Sequence, residues 1–141
     1  MKYIVWLIIP LVFFKSIAQQ ENIMGRWKGE DKNEIGYINF ETEKYASFEI
    51  DGKIYGGKEF ELKGKKGQMT YIIDFHKSPI EIDFIVTQFE SGEYRTLRCI
   101  ANFLDKDTLQ LNISFDDNRP TEFNEDTLTL NRVKSKKNRR P

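Results

Sequence analysis

Apolar residues recur at every second position through most of this chain, and short clusters of Gly, Asp, Asn, Ser and Pro interrupt the pattern at close intervals. That period is the constraint that matters most. A period of two puts alternate side chains on opposite faces of an extended strand, whereas a helix needs a period near 3.6. No stretch carries a convincing helical period, so the chain reads as all-β, with about eight or nine short strands joined by brief turns. Short joins favour neighbours in sequence as neighbours in space. The expected architecture is an antiparallel up-and-down β-barrel rather than a sandwich.

The alternation assigns faces. Ile38 and Phe40 share one side of the first full run, followed by Ala46, Phe48 and Ile50. Asp51-Gly52 is a two-residue hairpin signal, and Ile54, Phe60 and Leu62 are expected to continue the inward set across a bend at Gly56-Gly57. The Lys- and Gly-rich turn Lys63 to Gly67 leads to Met69, Tyr71, Ile73 and Phe75; past the loop His76 to Pro79 come Ile80, Ile82, Phe84 and Val86. Beyond Ser91-Gly92 the inward sets are Leu97, Cys99, Ala101 and Phe103, then Leu109, Leu111, Ile113 and Phe115, before a last strand from Thr127 to Arg132. Asn22 to Gly25 is expected to form a short helical turn plugging one end.

Gly25-Arg26-Trp27 opens the first strand and Arg132 ends the last. If the guanidinium lies across the indole, the contact is worth about 0.5–2 kcal/mol, and it brings first and last strands together in a closed wall. The side chain missing at Gly25 is expected to allow a close approach of backbone there. With this Gly-x-Trp and terminal Arg go Tyr71-Ile72-Ile73-Asp74, Pro79-Ile80-Glu81-Ile82-Asp83, Asp107-Thr108-Leu109, Arg119-Pro120-Thr121-Glu122-Phe123 and the closing Leu130 to Arg132. The set resembles a lipocalin-like, calycin-type domain family of exported bacterial proteins, over nearly all of the chain after its leader. It departs from that pattern at Ala101 to Leu104 and in its basic tail. The resemblance implies a lipocalin-like barrel.

Residues 1–18 read as a signal peptide to be removed: Lys2, the apolar block Tyr3 to Phe14, then Ser16-Ile17-Ala18 before the cut. The apolar block falls well short of the roughly 20 residues that span a hydrocarbon core. Export to the periplasm or the medium, with no transmembrane span after processing, is the expectation. Residues 19–132 then form the barrel and 133–141 a basic, disordered tail. The barrel segment holds 15 basic against 22 acidic residues, a net of −7, while the tail carries Lys134, Lys136, Lys137, Arg139 and Arg140 with no acid. An acidic body repels nucleic acid over most of its surface, and the tail is the one part suited to anionic surfaces.

The chain has one Cys and one His. Cys99, inside an alternating run, reads as a small buried apolar residue, and His76 sits on a Pro-bounded loop. That leaves no cluster for zinc or nucleophilic catalysis, so no catalytic residue, metal site or cofactor is expected. Asp74 and Asp83 are the one carboxylate pair to weigh; turn amides or Arg119 are their expected partners. A barrel of this size either is filled by its side chains or holds one small ligand. If it is hollow, Phe40, Phe48, Phe60, Tyr71, Ile73, Ile82, Phe84 and Leu111 line a site for a small hydrophobic or amphipathic molecule. The alternatives are a filled-barrel interaction or inhibitor module, and, from a third class, a hydrolase.

Overall fold

The structure, a computed structural model, describes residues 23–30 and 35–134. The expected leader and most of the tail lie outside those residues, as does Asn22. Ten strands form one antiparallel sheet: β1 (Gly25–Gly29), β2 (Ile35–Phe40), β3 (Ala46–Ile50), β4 (Lys53–Gly56), β5 (Phe60–Leu62), β6 (Lys65–Asp74), β7 (Ile80–Gln88), β8 (Tyr94–Asp105), β9 (Thr108–Ser114) and β10 (Leu128–Arg132). The sheet order is β4-β3-β2-β1-β10-β9-β8-β7-β6-β5. Each strand therefore neighbours its predecessor in sequence, with one exception: β1 pairs with β10, and the ring is left open between β4 and β5. The fold is an up-and-down sheet nearly closed into a barrel. Sequence reading expected about eight or nine strands, and the difference lies in the short pieces around Gly56-Gly57.

The seam between β4 and β5 is bridged rather than laddered. Gly57 N–H donates to the Ala46 carbonyl at 2.7 Å and Met69 N–H to the Gly57 carbonyl at 2.9 Å, beside an isolated bridge between Tyr45 and Thr70. Gly56 has φ +120°, and a Cβ there would stand 2.6 Å from the Ala46 carbonyl oxygen. Only glycine fits such a corner.

Inward positions make one apolar core: Trp27, Ile38, Phe40, Phe48, Met69, Tyr71, Ile82, Phe84, Cys99, Leu109, Leu111 and Leu130 are buried in it. Ile23, helical and buried, packs against the same core. The aromatic rings interlock, Phe40 edge-on to Tyr71 at 5.0 Å and Phe48 edge-on to Phe84 at 5.0 Å, which are favourable geometries. Three residues assigned inward are instead exposed: Ile54, Leu62 and Phe115. For Ile54 the cause is the hairpin itself. The two-residue turn pairs Ile50 with Lys53, and cross-strand partners share a face, so Ile54 stands opposite outward-facing Glu49. Leu62 sits at the free rim, and Phe115 lies one residue past the last β9 pair, Ser114 with Arg98.

The segment after β9 folds back over the outside of the barrel. Arg119 Nη1–H donates to the Cys99 carbonyl at 3.0 Å and its guanidinium meets Asp83 at 2.9 Å and Glu81 at 3.5 Å. Asp83 Oδ1 is buried and is held by that ion pair, whose angle falls outside hydrogen-bond geometry. Buried Asn112 donates to the Glu122 carbonyl at 3.0 Å. Under this strap Ile100, on the outer face, is buried as well.

Candidate functional site

At the end where Gly25 begins β1, the wall is tied shut. Trp27 pairs in register with Arg132, whose guanidinium carbon lies 4.4 Å from the ring centroid. Arg132 also donates to the Met24 carbonyl at 3.2 Å, the Lys106 carbonyl at 2.9 Å and Asp107 at 2.9 Å. The indole N–H donates to the Ile23 carbonyl at 2.9 Å, so a buried ring carries no unpaired donor. Gly25 is needed for a different reason from the one its sequence context suggests: its φ is +120°, while a Cβ there would only touch Arg132 at 4.0 Å.

The opposite end opens. There the β5–β6 hairpin turns through Lys63 and Gly64, both with positive φ, and the β7–β8 hairpin turns through Gly92. β5 is three residues long and pairs on one side only, so beside it the inward faces of the adjoining ends of β6, β7 and β8 stay open. A cavity of about 450 Å³ results, lined among others by Phe60, Leu62, Gly67, Val86, Thr87, Gln88 and Tyr94. Gly67 is an inward position with no side chain, and its glycine is obligatory, since a Cβ would meet the Thr87 carbonyl oxygen at 2.4 Å. The volume lies in the range of small-molecule sites.

Of the eight residues named as a lining for a hollow barrel, Phe60 lines this cavity. Phe40, Phe48, Tyr71, Ile82, Phe84 and Leu111 are packed in the core, and Ile73 is half-buried against it. Sequence reasoning missed Gly67, Val86 as a lining residue, Tyr94 and Arg95. A signal was present in Lys63 to Gly67, where a basic, side-chain-poor turn meets an apolar strand.

Charge around the cavity runs against that of the whole barrel. Lys63, Lys65, Lys66 and Arg95 line it, with Glu93 as the acid among the lining residues. Lys66 is shared with Glu59 at 3.6 Å, both well exposed, and Arg95 donates to the Phe115 carbonyl at 2.6 Å. Asp74 accepts from the His76 backbone N–H at 2.9 Å and so completes a turn. Cys99 is fully buried, and burial, reinforced by the nearby Asp83 carboxylate, pushes its thiol far above the ordinary range. Among the described residues no group of three His, Cys, Asp or Glu is placed to hold a metal ion. No family model, curated protein or solved structure matches the chain.

Proposed function

We propose that the protein is an exported, lipocalin-like binding module that takes one small amphipathic molecule at the open end of its barrel. The observation that carries the reading is the mouth cavity of about 450 Å³, apolar at Phe60, Leu62 and Val86 and polar around its edge. Its position, where the strand ring is incomplete, gives a ligand access without unpacking the core. At about 30 Å³ per group the space suits a ligand of roughly 15 non-hydrogen atoms. Native mass spectrometry and titration with a fluorescent fatty-acid probe test it: the expected result is one bound equivalent at micromolar concentration, abolished by V86W, which fills the cavity from β7. No bound ligand in either experiment refutes the proposal.

A second reading, a protein-interaction module, draws on exposed Leu62, Phe89 and Tyr94 around the same mouth. Apolar side chains grouped on one rim suit a docking surface. It predicts a partner whose affinity falls with Y94A while V86W leaves it unchanged.

A further inference from the structure

Resting on that cavity reading, we infer that the ligand is a single-chain amphiphile with an anionic headgroup, its chain lying on Phe60, Leu62 and Val86 and its head among Lys63, Lys65 and Arg95. The chemistry is set by two observations. First, a barrel segment with 15 bases and 22 acids gathers four cations around one cavity, against Glu93 within the lining. Counting also Glu59, which reaches Lys66, Glu61, which stands opposite Lys66 in the ladder, and Glu90, which lies beside Lys65 and Lys66 in the adjoining depression, the mouth balances four cations with four acids where the barrel segment as a whole carries −7. The cation-rich lining, set in an otherwise negative surface, makes this the place where an anionic group is best received.

Second, two of the cations, Lys65 and Arg95, stand on the same inward face as the apolar groups. Lys65 pairs across the ladder with Leu62, and Arg95 with Val86, while Phe60 sits opposite Gly67. Chain and headgroup subsites are therefore contiguous. The arginine suits a carboxylate or phosphate, which it can meet with two parallel N–H donors, and part of its fork stays available beyond the one bond to Phe115. The volume accommodates one chain of medium length.

Calorimetric titration of the folded protein with decanoate, decanol and decyltrimethylammonium, all kept monomeric, tests this. Decanoate is expected to bind about tenfold more tightly than decyltrimethylammonium at low salt, with the gap narrowing as ionic strength rises. Within a carboxylate series each added methylene is expected to tighten binding about fourfold until the cavity is full. The double variant K65Q/R95Q is expected to lose the preference for decanoate while binding decanol as before. Decanol binding that equals decanoate overturns the headgroup inference alone. Failure of all three ligands overturns the cavity reading with it. Association with phosphatidylglycerol vesicles but not with monomeric decanoate also overturns the inference, because the anionic group would then belong to a membrane surface.

Discussion

If the Trp27–Arg132 contact secures the β1–β10 pairing, the two side chains must be energetically coupled, and a double-mutant cycle measures that coupling. Arg132→Met keeps an unbranched stem over the indole while removing the charge; Trp27→Leu keeps an apolar side chain while removing the ring. The guanidinium side chain is 22 % exposed and the indole fully buried, which places the cation–π contact between its exposed and desolvated limits, at about 1–1.5 kcal/mol. Arg132→Met also removes the charge-assisted bonds to the Met24 and Lys106 carbonyls and the ion pair with Asp107, which keeps Lys134 as a partner. Those carbonyls regain water in part, so the single substitution is expected to cost about 2–4 kcal/mol. For a domain of this size that is a loss of roughly 6–16 °C in Tm. Urea unfolding of the four proteins, followed by circular dichroism, gives the coupling directly. A coupling within about 0.3 kcal/mol of zero, the additivity error, refutes the staple. So would an Arg132→Met cost below about 0.5 kcal/mol, the scale of ordinary surface substitutions.

Leu111→Ala, at a fully buried position, is expected to cost about 2–5 kcal/mol in urea unfolding, whereas Ile54→Ala, on the outer face, should stay within about 0.5 kcal/mol; equal costs would contradict the register of the β3–β4 hairpin. The Cys99 thiol should be inert to a disulfide reagent at pH 8 in the folded protein and react only as fast as the chain unfolds, since it is both enclosed and held protonated. Burial alone would raise the Glu49 pKa, but bonds from Arg26 and Asn39 outweigh it and hold the carboxyl below its ordinary 4.5. A depressed pKa means the stabilisation is complete above about pH 4.5 and is lost as pH falls through the lower folded value, so Glu49→Gln should flatten the acid limb of a stability–pH curve measured by urea unfolding.

The alternation of apolar and polar residues by itself determined that this chain forms antiparallel strands, and Asp51-Gly52 that two of them meet in a two-residue turn. Both signals are local, because a period of two and a pair of positive φ angles are properties of adjacent residues. Trp27 and Arg132 reached further, marking the first and last strands as neighbours across the whole sequence. Tertiary structure decided the rest. Ile54 lost its inward face because a two-residue turn passes the buried parity from even to odd positions, and Gly56-Gly57 passes it back to Phe60. Ile100, outward by its parity, is buried because Arg119 ties the segment after β9 across that face, a contact that no alternation encodes. The cavity sits between β5 and β8 and not along the full lumen, since the aromatic rings of Phe40, Phe48, Tyr71 and Phe84 fill the middle while the ring of strands stays open at β5. Where a nearly closed sheet leaves its gap depends on the sum of strand lengths, twist and register around the whole circuit, and no short stretch of residues carries that sum.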